Sequence, residues 1–88
     1  MRQILFNPSA FEEFVEWSYF DKSIFKKIAA IVKEIQRTPF EGTGSPEPLK
    51  HNYKGLWSRR ITKEHRLIYE VNDESIKIIS CKYHYQDK

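Results

Sequence analysis

The sequence predicts an α+β domain in which a short N-terminal strand precedes two amphipathic helices packed on an antiparallel sheet. Three observations lead there. Apolar residues in the first half recur at three- and four-residue steps. From Leu56 onward the period changes to two. The connections between the late segments, Thr62-Lys63-Glu64-His65 and Asn72-Asp73-Glu74, are too short for anything but an antiparallel meander.

Each element has its own warrant. Arg2 to Phe6 reads as a short strand ended by Asn7-Pro8. Ser9 with Glu12 forms a capping-box pattern that opens a helix through about Tyr19, with Phe11, Phe14, Val15 and Trp17 or Ser18 as its apolar stripe. Asp21 can cap a second helix carrying Ile24, Phe25, Ile28, Ile31, Val32 and Ile35 on one side. That helix ends before Thr38-Pro39, because a residue preceding proline disfavours the helical region. Residues 39–48 hold three of the four prolines and two of the three glycines, which predicts a stiff loop. Glu47 sits between Pro46 and Pro48, so its backbone is restricted from both sides.

Strands are expected over Leu56–Ile61, Arg66–Val71 and Ser75–Tyr85. Alternation places Trp57, Ile61, Leu67, Tyr69, Val71, Ile79, Cys81 and Tyr83 toward the helices. It places Ser58, Arg60, Arg66, Ile68, Glu70, Lys82 and His84 on the open face. Three residues conflict with this sorting: Arg59 falls in the apolar set, and Ile76 and Ile78 fall in the polar one.

The composition is that of one small globular domain spanning residues 1–88, with 40% hydrophobic, 15% aromatic and 31% charged residues. The formal charge of +3 is unevenly placed. Residues 1–41 are neutral, with six cations and six acids, whereas residues 42–88 carry nine cations and six acids. Within residues 42–66, six cations face only Glu47 and Glu64, a local excess suited to a phosphate backbone. A solvated surface of ordinary lysines is the competing reading. The single cysteine, Cys81, lies in an apolar run and reads as a small buried hydrophobe, which suits a reducing cytoplasm. The apolar run at the N-terminus is too short for a signal peptide, and no window approaches a membrane span. Three scattered histidines and one cysteine do not form a metal site, and there is no Gly-rich phosphate loop, so no metal or cofactor is implied.

Cleaving RNA without a metal requires a base for the 2′-hydroxyl proton, cations for the charge building on the phosphate, and an acid for the departing 5′-oxygen. Glu47, Arg66 and His84 are the residues that can take those parts. Each also has an ordinary reading: Glu47 as a loop acid, Arg66 as a hairpin charge paired with Glu64 or Glu70, His84 as a terminal residue. From the residues alone the chain is a nucleic-acid-binding α+β domain, with a nuclease as one form of it. Trp17, Tyr19 and Phe20 cluster at the end of the first helix, which is either an interface or the edge of the core.

The run TPFEGTGSPEPLKHNYKGLWSRRITKEHRLIYEV, continuing to CKYHY, resembles the YoeB (Txe) family of bacterial toxins within the wider RelE group, over about residues 2–85. The resemblance implies a RelE-like fold related to small microbial ribonucleases. It implies ribosome-dependent endonucleolytic cleavage of mRNA in the A site. It also implies a YefM-type antitoxin as partner, a toxin–antitoxin complex that represses its own operon at operator DNA, and homodimers in some members. The family's general base falls on Glu47, its phosphate-stabilising arginine on Arg66, its general acid on His84 and its final tyrosine on Tyr85. Lys50 matches a lysine near the scissile phosphate, and Lys54, Arg59 and Arg60 match the family's basic surface. The polar tail Gln86-Asp87-Lys88 departs from the pattern, which displaces any terminal carboxylate from the site. A non-catalytic basic domain that blocks ribosomal or messenger RNA remains the alternative.

Overall fold

The computed structural model describes residues 1–50 and 55–83. Its sheet has five strands in the order β1-β5-β4-β3-β2, with β1 at Gln3–Phe6, β2 at Glu47–Pro48, β3 at Leu56–Arg60, β4 at Arg66–Val71 and β5 at Ser75–Ser80. Helices α1 (Pro8–Phe20) and α2 (Lys22–Arg37) lie between β1 and β2 in the chain. The polypeptide thus starts at one edge, passes through the helical layer to the opposite edge, and zigzags back through β3, β4 and β5. Those three pair antiparallel, as the short connections require. The N-terminal strand joins β5 in parallel, Gln3 opposite Ser75 and Phe6 opposite Ile78, so the sheet as a whole is mixed. The parallel pair β1 and β5 is joined by all of the chain between them, both helices and the strands β2, β3 and β4, which is ample for the long connection that parallel strands need.

The helices form close to expectation, with one change of cap. Asp21 accepts from the backbone N–H groups of Ser23 at 3.1 Å and Ile24 at 3.2 Å, which satisfies two of the free donors at the start of α2. The Ser9–Glu12 capping box of α1 does not form; the helix begins two residues earlier than that cap would set, at Pro8, with Asn7 as its N-cap and no side-chain cap bond. Proline is well placed there, because its missing N–H lies where no intrahelical acceptor exists. Ala10 and Trp17 of α1 and Ile28, Ile31 and Ile35 of α2 pack on Leu67, Tyr69, Ile76, Ile78 and Cys81. Each fully buried isoleucine contributes about 1.5–3 kcal/mol relative to an exposed one. Phe11, expected in the α1 stripe, is 53% exposed and makes a T-shaped contact with the Phe6 ring.

A β-bulge resolves the conflict at Ile76 and Ile78. Tyr69 pairs with Ile78 but Ile68 pairs with Ser80, so β5 holds one extra residue opposite that step. The inward phase is therefore Ile76 and Ile78 before the bulge and Cys81 after it, all fully buried. Ile79, expected to face the helices, is the extra residue, and Tyr83 is 61% exposed. Among the described residues, no helix is long and apolar enough to cross a membrane.

Candidate functional site

Two acid–arginine pairs are built into β2, β3, β4 and α2, and they differ in one physical respect. Arg59 of β3 points into the protein and is fully buried. All of its N–H groups are used. Nε donates to the Tyr69 hydroxyl at 3.2 Å, and Nη1 to the Glu34 carboxylate and to the Thr43 carbonyl at 3.2 Å. Nη2 donates to the carbonyls of Thr38 and Glu41, the latter at 2.8 Å. Tyr69 in turn donates to the Pro39 carbonyl at 2.6 Å, and burial pushes its phenol up, which keeps the proton in place. The stiffness expected of residues 39–48 from their prolines is thus reinforced by a guanidinium that the loop wraps around. This corrects the expectation that Arg59 lies on a basic RNA-binding surface: a charge with every donor satisfied inside the fold has none left for a phosphate.

The loop closes on this pair through glycine. Gly44 has φ +85°, and a Cβ there would lie 2.8 Å from the Arg60 carbonyl oxygen, while Arg60 N donates to Gly44 O at 2.7 Å. Gly44→Ala is accordingly expected to destabilise by about 1–3 kcal/mol, from left-handed backbone and a backbone contact that cannot give way. Urea unfolding measures it; an unchanged midpoint contradicts the close approach.

The second pair faces outward. Glu47 and Pro48, expected to be loop, form the short edge strand β2, with Glu47 opposite Ser58 and Pro48 opposite Trp57. Proline is tolerated at such an edge. Arg66 begins β4 on the same face, and its Nη1 lies 3.5 Å from Glu47 Oε1 and donates to Ser58 Oγ at 3.2 Å. The Glu47 side chain is 60% exposed, so the contact is loose and solvated, and both groups remain accessible to a ligand. Alternation correctly put Ser58, Arg60, Arg66 and Ile68 on one face; what it missed is that Ser58 props the guanidinium.

Of the remaining expected site residues, Lys50 and Arg60 are exposed. Lys54, His84 and Tyr85 lie outside the described residues. The last described residue, Tyr83, is tied to β4: Arg66 N donates to the Tyr83 carbonyl at 2.9 Å. The chain therefore passes beside Arg66 in the residue immediately before His84. Cys81 is a buried hydrophobe, as expected, and burial, with Glu13 nearby, pushes its thiol up to about 12. The aromatic cluster of α1 divides: Trp17 completes the core, while Tyr19 and Phe20 are 79% and 77% exposed.

The family model for the YoeB-like toxin of bacterial type II toxin–antitoxin systems matches residues 6–85. The chain belongs to the YoeB family of bacterial toxins. The toxin YoeB of Escherichia coli strain K12 is 51% identical over 83 residues, covering 94% of this chain and 99% of that protein. A YoeB dimer from Staphylococcus aureus superposes with a TM-score of 0.89 at 50% identity, covering 96% of this chain and 98% of that one. A YoeB–YefM complex from the same organism gives 0.87 at 49% identity over 97% and 99% of the two chains. YafQ from E. coli, at 15% identity and a TM-score of 0.73, shares the fold alone. As a YoeB-family member, the chain is a toxin of a type II toxin–antitoxin system.

Proposed function

We propose that this toxin is an endoribonuclease that cleaves mRNA in the ribosomal A site and so stops translation. The supporting observation is the pairing of the exposed Glu47 with the half-buried Arg66 at the sheet edge, beside the Tyr83 backbone that precedes His84 in the chain. Glu47 takes the proton from the 2′-hydroxyl, and the freed oxygen attacks phosphorus. Arg66 stabilises the charge on the phosphoryl oxygens with a planar fork of donors. The bond from phosphorus to the 5′-oxygen breaks, and His84 delivers a proton to that oxygen. The products are a 2′,3′-cyclic phosphate and a 5′-hydroxyl. Acid, base and cation are all side chains of this protein, so the mechanism needs no metal. Lys50, Lys54, Arg60 and Tyr85 hold the RNA.

The same reading assigns a YefM-type antitoxin as partner, a self-association like that of the S. aureus dimer, and co-repression of the operon by the toxin–antitoxin complex. Mapping of 5′ ends on a defined mRNA in a purified translation system, wild type beside His84→Ala, tests it. Discrete A-site cuts from the wild type that are lost in the variant are expected. Arrest without cuts identifies a non-catalytic blocker of the ribosome instead, and cuts that survive the substitution move the acid to another residue, Lys50 first.

A further inference from the structure

β5 ends at Ser80, and beyond it side chains take over part of the sheet ladder's hydrogen bonding. Cys81 N donates to Glu13 Oε1 at 2.8 Å, and Cys81 O accepts from Trp17 Nε1 at 2.9 Å. Tyr83 N donates to His65 Nδ1 at 2.7 Å, while Tyr83 O accepts from Arg66 N. Tyr83 is thus gripped at both its N–H and its carbonyl by adjacent residues of the β3–β4 connection and β4. It needs that grip, because its φ of +58° is left-handed backbone that a bulky residue seldom adopts. In this contact Nδ1 of His65 is the acceptor for the Tyr83 N–H. The ring is set by the edge of Trp17 at 4.7 Å. Its own backbone closes the hairpin, N donating to Thr62 Oγ1 at 3.1 Å and O accepting from Ile61 N at 2.9 Å.

We propose that His65 is a positioning residue for cleavage: by fixing the Tyr83 backbone it sets the direction in which the chain enters His84, relative to its own neighbour Arg66. This rests on His84 being the general acid. The ring of His65 need not touch RNA to do so.

Asparagine places an acceptor where Nδ1 sits, glutamine places one nearer the position of Nε2, and phenylalanine keeps only the ring. Single-turnover cleavage on programmed ribosomes is therefore expected to fall roughly 100-fold in His65→Phe and His65→Gln, the scale of a small misplacement of a reacting group. His65→Asn is expected to recover most of the rate. Ribosome affinity should stay unchanged in all three, and Tyr83 amide exchange should accelerate in Phe and Gln but not in Asn. Equal rates in Asn, Gln and Phe variants overturn the proposal, as does an unprotected Tyr83 amide in the wild type. If His65→Phe does not fold, the Asn–Gln contrast decides. Undiminished cleavage by His84→Ala removes the acid reading and the catalytic reason for His65 with it, while the Tyr83 amide still reports the hydrogen bond independently.

Discussion

Arg59→Met is expected to lower stability by about 3–5 kcal/mol, the cost of removing one member of a buried ion pair. For a domain whose whole stability is of order 5–15 kcal/mol this is a large share. The carbonyls of Thr38, Glu41 and Thr43 and the Tyr69 hydroxyl all lose a donor. Each such loss costs about 1–3 kcal/mol where water cannot replace the bond. The stranded Glu34 carboxylate is the smaller part, because its side chain is 35% exposed and water can reach it. Methionine fills the space of the stem, so the loss is one of hydrogen bonds and charge rather than of volume. Denaturant unfolding of the two proteins measures the difference, and a value under about 1 kcal/mol refutes the hub role.

The pH dependence gives an independent check. Partial burial pushes the Glu34 carboxyl up, but hydrogen bonds from Thr43 N and Oγ1 and from Arg59 outweigh it, so its pKa lies below the ordinary glutamate value. A carboxylate with a lowered folded pKa adds stability above its unfolded pKa and loses it as the pH falls through the folded one. The stability gap between the wild type and Arg59→Met should therefore narrow by the Glu34 share alone on the acid side of that range and widen again toward neutrality, the four bonds to neutral acceptors keeping the rest of it.

How much was legible in the sequence depended on whether the signal was local. The stripe of α2, the Asp21 cap and the open face carrying Ser58, Arg60 and Arg66 follow from spacing alone, because helix and strand periods act over a few residues. The failures have a shared cause in contacts between distant segments. A bulge inserts one residue only because β4 and β5 must match, and no local pattern marks Ile79. The parallel seat of β1 depends on a partner about seventy residues away. Glu47 and Pro48 become a strand because β3 offers them an edge, against the preference of the prolines. Arg59 is the instructive case: alternation assigned it to the inner face, and a charged residue there looked like an exception to be absorbed by the surface. Its acceptor, Glu34, lies outside the apolar stripe of α2 like any solvated acid, so nothing in the sequence joins the two. His65 likewise stood in the sequence only as the last residue of a hairpin connection, since its bond to Tyr83 spans eighteen residues.

Glu47→Gln is expected to show the opposite profile from Arg59→Met: cleavage falls roughly 10²–10⁴-fold, the usual share of a general base, while stability changes by less than about 0.5 kcal/mol. Gln is nearly isosteric and keeps an oxygen near Arg66, so the edge strand and its pairing with Ser58 survive; what is lost is the capacity to take a proton. The loose 3.5 Å contact with Arg66 contributes little to folding, because the Glu47 side chain is mostly in water. Binding to the ribosome should be unchanged or slightly tighter, since a negative charge near RNA has been removed. Single-turnover cleavage with a parallel filter-binding measurement separates these effects. Full cleavage by Glu47→Gln places the base elsewhere, and weakened binding with an unchanged rate makes Glu47 a contact rather than a base. Both acid–arginine pairs are of the same chemical kind, and what divides their work is water. Where Arg59 is dry its donors are consumed by the fold and their loss is read in stability. Where Glu47 and Arg66 meet water their interaction with each other is weak, which leaves each free for a ligand, and on the proposed mechanism their loss is read in rate.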